Sequence, residues 1–290
     1  MSAVRSAATG LMWLISTVLL AAALPAMWVQ ANIVDRGGYS ALAQRAAGDP
    51  QLQSAIATEL TAQVGRLSPA ADSTVVSAIA KTYTASSSFP PQFAQAADFA
   101  HRWLFTDSIG SGVGSGVDQQ GRWVIDFAPM LSDSAFAQTL RDYSITVPTA
   151  WPIPFTDTAP AALRPGSLRS YGMWMPWVGW GLAALATAAA LLTLYVAARR
   201  GKALAALGVS ALLVGAAGWG AIEFGRRYIQ AALDDNTSGN LRRVADVMVT
   251  AAQSSMHQWL NLTLVIGGGL VIVGVIVSLL ASLSKHPVQK

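Results

Sequence analysis

Glu223 is the residue of this chain best placed for chemistry inside a membrane. It is the only acid within or at the edge of an apolar segment, and ionisable side chains in that position are often functional. Arg226 and Arg227 follow three and four residues later, the spacing at which helical side chains face each other. The spacing predicts an ion pair at the membrane boundary. A proton-carrying or substrate-binding role for Glu223 is the alternative.

A second group of ionisable residues lies in the segment 32–172. Asp98 comes three residues before His101, and Asp107 and Asp126 follow. An enzyme site would need these side chains to meet in one cleft, and a metal site would need a further strong ligand at helical spacing. We therefore expect His101 to be packed or hydrogen-bonded, and we predict no catalytic, cofactor-binding or metal-ligating residue.

Residues 110–116 are rich in glycine, as phosphate-binding loops are. The stretch fits neither GxGxxG nor GxxxxGK[ST], and it follows a helical pattern instead of a strand. It also contains no GxSxG motif of the kind that carries a hydrolase nucleophile. The pattern predicts a flexible turn with no nucleotide site.

The composition is that of a membrane protein. Of 290 residues, 53% are apolar and only 12% are charged, against about 25% charged in soluble domains. The chain has no cysteine, which excludes disulfides, thiol catalysis and cysteine-based metal sites.

Four apolar segments are long enough to cross a bilayer, because about 20 helical residues at 1.5 Å each span its hydrocarbon layer. The first could also be a cleaved signal peptide, but it stays apolar over its full length, which favours an uncleaved helix. The four segments are 11–29, 173–198, 203–224 and 260–283.

The charges between these segments predict the topology. Arg199, Arg200 and Lys202 form a cationic turn between the second and third segments, and cationic turns mark the cytoplasmic side. The pieces on that side carry six Lys and Arg and no acid, whereas the pieces on the other side are nearly neutral. Both termini are therefore expected in the cytoplasm. The net charge of +4 comes from the cationic residues of the cytoplasmic pieces, which orient the chain in the membrane. It therefore does not indicate nucleic-acid binding, and nucleic acid is excluded as a partner.

The predicted fold is mainly α. It consists of a four-helix transmembrane bundle and an extracytoplasmic, mostly helical domain with a short two-stranded element, inserted between spans 1 and 2. Helical periodicity and turn residues set the boundaries. The predicted parts are a leader with helix 1 (1–31), the extracytoplasmic domain (32–172), a transmembrane hairpin (173–224), an extracytoplasmic amphipathic helix (225–259) that runs without a break into helix 4 (260–284), and a cytoplasmic tail (285–290).

Small residues recur four apart along the predicted spans. Such rows allow helix backbones to approach closely, and they fit packing within one bundle and an interface with a partner equally well. Asn261, one turn into the last span, is expected to bond another helix. The rows contain Gly179, Ala183 and Thr187; Ala211 and Gly215; and Gly274 and Ser278.

Several short motifs carry a family resemblance. They are Asp35-Arg-Gly-Gly-Tyr39, Ala47-Gly-Asp-Pro-Gln-Leu-Gln53, Ala100-His-Arg102 and Trp123-Val-Ile-Asp-Phe-Ala-Pro129. Their order resembles a family of actinobacterial, mycobacterial-type integral membrane proteins with four spans, in which a D-x-x-x-Y…DP-x-[VL]-Q opening and a VIDLxP-like strand recur. The resemblance implies the four-span layout. It implies no activity, because the family has no established one. Claudin-like proteins share the layout, but their cysteine pair is absent here.

These observations favour a plasma-membrane protein that acts by binding, as an accessory or scaffolding subunit of a cell-envelope assembly. Its expected partners are the lipid bilayer and an envelope protein or a second copy, with no cofactor. A small transporter using Glu223 is the first alternative, although no broken helix or inverted repeat supports it. An envelope enzyme built in 32–172 is the second.

Overall fold

The computed structural model describes most of the chain, and its described part divides into two compact units. Unit 1 consists of Met1–Gln30, Trp174–Arg227 and Gln253–Lys290, and unit 2 consists of Ala31–Met173 and Tyr228–Ala252. Segments that the sequence analysis treated as two separate outer pieces thus share one unit. The described residues are 2–105, 115–117, 123–126, 138, 141–142, 152–154, 166–236 and 239–283.

Four helices are long and apolar enough to cross a membrane, which makes this a multi-pass membrane protein. Helix α1 (Ser2–Val29) continues through a π-helical turn (Gln30–Val34). The other three are α6 (Arg169–Val196), α7 (Arg200–Asn236) and α8 (Gly239–Leu283). Their candidate spans are Ala7–Val34, Arg169–Val196, Arg200–Tyr228 and Arg242–Ser282.

Unit 2 is built on four shorter helices whose starts the sequence encodes through aspartate caps. Asp35, Asp49 and Asp72 precede helices, and each carboxylate accepts a backbone N–H of the first turn, a contact that stabilises a helix start. These bonds lower the pKa of Asp72, chiefly through the N–H of Thr74. The helices are α2 (Arg36–Ala46), α3 (Pro50–Leu67), α4 (Ser73–Thr84) and α5 (Phe89–Phe105).

The core of unit 2 joins these helices to the first turns of α8. Apolar residues at helical spacing on α3, α4 and α5 are buried together, and Val247 of α8 is buried with them. Val244, Met248 and Ala251 of α8 pack against the same cluster. The amphipathic helix predicted for 225–259 therefore places part of its apolar face in this core. The central members are Leu52, Ile56, Leu60, Val64, Val76, Tyr83, Phe89 and Trp103.

Among the described residues between α5 and α6, three short stretches are strands. Strands β1 (Ser115–Val117), β2 (Trp123–Asp126) and β3 (Pro152–Pro154) form an antiparallel sheet with β2 in the centre. Val124 of β2 pairs with Gly116 on one side and Pro154 on the other. The sheet thus has three strands where two were predicted, and β1 occupies the end of the predicted glycine-rich turn. The rest of that turn lies outside the described residues.

Some element boundaries differ from the periodicity-based predictions. Helix α5 begins at Phe89, before the start at Phe93 that its apolar stripe predicts, because proline is compatible with a first helical turn, where its missing N–H is not needed. Helix α7 continues to Asn236, twelve residues past the predicted end of its span at 224. Helix α8 is unbroken from Gly239 to Leu283, as predicted.

Candidate functional site

Several ionisable residues of unit 2 lie together where the π-helical turn meets α2 and α5. We call Arg36, Tyr39, Asp98, His101, Arg102 and Phe105 the junction cluster. Three of its members come from one face of α5, at positions 98, 101 and 105, and two come from the first turn of α2. The cluster contains the two residues, Asp98 and His101, that the sequence identified as half of a possible site.

His101 is buried, with only 6% of its surface exposed. Its Nε2 lies 3.0 Å from the carbonyl oxygen of Ile33 and 3.1 Å from that of Val34. Carbonyl oxygens only accept, so Nε2 carries a proton and donates. These carbonyls end the first transmembrane helix, where no further helical N–H reaches them. His101 therefore caps that helix from α5, and the expectation of a packed, hydrogen-bonded histidine is confirmed.

Two rings enclose His101. Phe105 stacks on it with ring centroids 4.5 Å apart, and Tyr39 lies with its ring centroid 5.1 Å away. Burial in this stack raises the pKa of the Tyr39 hydroxyl. The imidazole is thereby held in one orientation against the helix end.

Asp98 is engaged by two arginines. The Nε and Nη2 of Arg36 donate to its two oxygens, the second bond being 2.8 Å long, and the Nε of Arg102 lies 3.3 Å away. The hydrogen bond to Asp98 raises the pKa of Arg36. The Asp98 side chain is 14% exposed, whereas those of Arg36 and Arg102 are 62% and 50% exposed. The carboxylate is thus neutralised in place, and the two guanidiniums remain at the surface.

The D-R-G-G-Y motif has a local structural reason. Asp35 caps α2 by accepting the N–H of Gly38 at 2.8 Å. A Cβ added to Gly38 would collide with the backbone of Ala31, lying 2.8 Å from its carbonyl carbon. Only glycine allows α2 to turn back so closely on the π-helical turn. The turn places Tyr39 against His101 and Arg36 against Asp98.

The end of α5 also receives the start of α6. The N–H of Gly166 donates to the carbonyl of Trp103, and that of Leu168 donates to Leu104, both at 2.9 Å. Gly166 has a φ of 70°, which glycine adopts without strain. A Cβ on Gly172 would lie 2.9 Å from the ring of Phe105. Gly166 and Leu168 therefore lie against the end of α5.

These contacts define what the cluster can do. His101 Nε2 is bound to backbone carbonyls and Asp98 is bound to arginines, so these bonds are structural. Asp107 lies outside the described residues, and Asp126 is described through its backbone in β2. Within the described ranges, no three His, Asp or Glu side chains come together as metal ligands do. The exposed chemistry of the cluster is cationic.

Glu223, Arg226 and Arg227 lie near the end of the third span on α7, with all three side chains exposed. The ion pairs of the described chain are Arg36–Asp98, Arg102–Asp98, Arg66–Glu59 and Arg242–Asp246. The Glu223 pair is not among them and stays a prediction.

The predicted small residues of α7 and α8 lie in a close antiparallel contact within unit 1. A Cβ on Gly208 would lie 2.6 Å from the carbonyl oxygen of Gly267, and one on Gly215 would lie 2.7 Å from Leu264. A Cβ on Gly274 would lie 2.7 Å from the carbonyl oxygen of Gly201. Glycines seven residues apart thus face one another along this seam. The sequence analysis found Ala211, Gly215, Gly274 and Ser278, but it missed Gly201, Gly208 and the seven-residue period.

Helix α6 contacts α1 through Gly179, where an added Cβ would lie 3.4 Å from Met27 Sδ. The row predicted from Gly179 through Ala183 to Thr187 does not stay on this face, because Thr187 is exposed and Ala183 only half-buried. Four helical residues turn through about 400°, so a four-residue row drifts around the helix. The buried small residues are Gly179, Ala186, Ala189 and Thr193.

Polar side chains in unit 1 bond to one another between helices. Thr17 and Ser210 share a hydroxyl hydrogen bond of 2.7 Å, and Trp13 donates to the Ala206 carbonyl at 2.8 Å. Trp219 donates to Asn261 Oδ1 at 3.2 Å. The prediction that Asn261 bonds another helix is confirmed.

Trp28 of α1 donates to Ser255 of α8 at 3.3 Å, and the Trp219 ring stacks on His257 with centroids 3.9 Å apart. One tryptophan of α1 and one of α7 thus contact neighbouring turns of α8.

The cationic turn is in place between α6 and α7. Helix α6 ends at Val196 and α7 begins at Arg200, so three residues connect two successive spans, and Arg199, Arg200 and Lys202 are exposed there.

Comparison of the chain with known protein families, with curated proteins and with solved structures finds no match.

Proposed function

We propose that this chain is a plasma-membrane protein that acts by binding, as an accessory or scaffolding subunit of a cell-envelope assembly. Both termini lie in the cytoplasm, and segments 32–172 and 225–259 lie outside it. The helical domain inserted between spans 1 and 2 makes the contact, and its partner is an envelope protein or a second copy. The family resemblance to actinobacterial four-span proteins is part of this proposal.

One observation carries the proposal: the helices between spans 1 and 2 share a hydrophobic core with Val247 near the start of α8. That core draws on two segments, Ala31–Met173 and Tyr228–Ala252. Helix α8 has 45 residues, which corresponds to about 68 Å, so it extends well beyond a hydrocarbon layer of about 30 Å. A folded module attached to several spans suits a binding role.

Other contacts favour binding over the alternatives. The ionisable groups that an enzyme in 32–172 would use are, where described, bonded as a helix cap and an ion-pair network. Thr17, Ser210 and Asn261 in the spans are bonded to neighbouring helices instead of lining a path.

Lysine placement provides a direct test. Lys81 is the only lysine in 32–172, and Lys202, Lys285 and Lys290 fall in pieces assigned to the cytoplasm. A membrane-impermeant amine crosslinker applied to whole cells should therefore give adducts through exposed Lys81 alone. We expect a discrete crosslinked species that is lost in Lys81→Arg, identified by mass spectrometry as an envelope protein or a second copy.

The contrary result is equally clear. A protein that stays uncrosslinked and runs as a lone monomer in mild detergent contradicts the binding role. Adducts that persist in Lys81→Arg would contradict the topology.

A further inference from the structure

Three cations lie at the short connection between the second and third candidate spans. Helix α6 ends at Val196 and α7 begins at Arg200, so residues 197–199 form the whole connection. Because both helices are candidate spans, so short a connection lies at the membrane boundary. Arg199, Arg200 and Lys202 are all exposed there.

The packing of Gly201 fixes the backbone beneath these cations. Gly201 is buried, and a Cβ added to it would lie 2.7 Å from the backbone nitrogen of Ser278 and 2.8 Å from the carbonyl oxygen of Gly274. The residues on either side of it, Arg200 and Lys202, are exposed. The last turns of α8 therefore hold the start of α7 in place, with one cation on each side of the contact.

The chain provides no acidic side chain to neutralise these three residues. Among the described residues, none of the three forms an ion pair. The sequence contains no Asp or Glu in 1–34, 158–222 or 247–290. Those stretches include all of α1 and α6, the first part of α7 and the last part of α8. The helices of unit 1 therefore offer no carboxylate at this end, and the counter-charge has to come from outside the chain.

An exposed apolar surface leads from the cations along α6. Tyr195 is 80% exposed, and Leu191, one turn earlier, is 61% exposed. Residues four apart lie on one face of a helix, and tyrosine favours the membrane interface. A lipid whose headgroup lies at the cations would have its acyl chains beside this face.

The residue types suit a phosphate group. The planar donors of a guanidinium bind two phosphate oxygens at once. Cationic residues next to a membrane span are attracted to anionic lipids. The fitting ligand thus has a negative phosphate at the membrane boundary and an apolar part below it.

We propose that Arg199, Arg200 and Lys202 form a binding site for the phosphate headgroup of an anionic phospholipid. Orienting the chain in the membrane requires only that these residues are cationic, whereas the binding site also uses their exposure and fixed spacing. The site needs neither a protein partner nor a particular leaflet. Its failure would therefore leave the proposed scaffolding function untouched.

The test measures lipid binding to the full-length protein in detergent by native mass spectrometry. The probes are phosphatidylglycerol and the zwitterionic phosphatidylcholine. We expect tighter binding of phosphatidylglycerol by the unaltered protein. Lys202→Gln should weaken that binding about fivefold, and Arg199→Gln with Arg200→Gln should weaken it about 25-fold.

Arg226 and Arg227 supply a matched control. They are two adjacent, exposed arginines at the opposite end of the third span, but Glu223 lies within one turn of them. Arg226→Gln with Arg227→Gln removes the same charge from the same helix. This control pair should bind phosphatidylglycerol as the unaltered protein does.

Three results would overturn the proposal: no preference in the unaltered protein, a preference that survives the substitutions at 199, 200 and 202, or an equal loss in the control pair. Inorganic phosphate that binds as tightly as phosphatidylglycerol would also overturn it, because the site would then take the free ion. Should the double variant at 199 and 200 fail to fold, Lys202→Gln alone decides.

Discussion

His101 shows how one side chain can complete a membrane helix. The last carbonyls of a helix lack N–H partners, and leaving them unbonded away from water is costly. Here a histidine from another helix supplies the donor, and Phe105 and Tyr39 hold its ring in place. The residue whose type most suggested catalysis is bound into the structure.

This role predicts the effect of His101→Phe. Phenylalanine preserves the ring stack but removes the donor, so the carbonyls of Ile33 and Val34 lose their partner. We expect the free energy of unfolding to fall by about 1–3 kcal/mol, measured as a lower midpoint of thermal unfolding in detergent. His101→Gln, which can still donate, should lose less. Equal stability of His101→Phe and the unaltered protein would contradict the capping role.

The sequence predicted that His101 is packed or hydrogen-bonded, but it did not predict which residues accept its hydrogen bond. Burial followed from its position on the apolar face of α5, which local periodicity reveals. Its acceptors lie 68 residues earlier, and Arg36 is 62 residues from Asp98. Contacts at such separations depend on how whole helices pack, so residue spacing alone did not connect them.

At the scale of elements, the close contact between α7 and α8, which we call the seam, depends on glycines because they have no side chain. Gly201, Gly208 and Gly215 are seven residues apart; the first two face the backbone of α8, and Gly215 faces the Leu264 side chain. Seven residues make nearly two helical turns, so such a row stays on one face with a drift of about 20° per repeat. Close backbone approach is what stabilises helix pairs in lipid, where the hydrophobic effect between helices is absent.

Two glycine-to-alanine substitutions should therefore act in opposite directions. In Gly208→Ala the new Cβ would lie 2.6 Å from the Gly267 carbonyl oxygen, whereas nothing lies within 4 Å of a Cβ on Gly268. We expect Gly208→Ala to destabilise the protein by about 1–3 kcal/mol. Gly268→Ala should be neutral or stabilising by up to about 1 kcal/mol, because alanine favours helix.

The measurement is the thermal unfolding midpoint of the two variants in the same detergent. Similar midpoints for both would show that the seam does not limit stability.

The sequence predicted which segments form helices, but it predicted only in part which face of each helix packs against a neighbour. The four apolar segments and the aspartate-capped helices follow from length, composition and local capping chemistry. The prediction for α6 assumed that a four-residue row runs straight, whereas the row leaves the buried face of the helix at Thr187. The same assumption missed Gly201 and Gly208 on α7. A seven-residue period of small residues therefore predicts the contact between α7 and α8 better than a four-residue row does.

At the scale of the whole molecule, charge and composition lead to one orientation. Three residues, 197–199, connect the second span to the third, and Arg199, Arg200 and Lys202 lie at this connection. Cytoplasmic loops carry such charges. In the proposed topology, the segment 32–172 lies on the opposite side of the membrane. The absence of cysteine makes this testable, because any introduced thiol is the only one in the chain.

Two single-cysteine variants measure the orientation in intact cells. Ser54 is exposed on α3 in unit 2, and Ala198 is exposed in the turn between α6 and α7. Neither substitution changes a charge, so the topology signal of Arg199, Arg200 and Lys202 stays intact. A membrane-impermeant maleimide should label Ser54→Cys in intact cells. It should label Ala198→Cys only after the cells are permeabilised, because the proposed topology places the turn in the cytoplasm. The reverse pattern would place the helical unit inside the cell, and an envelope-binding role would then be impossible.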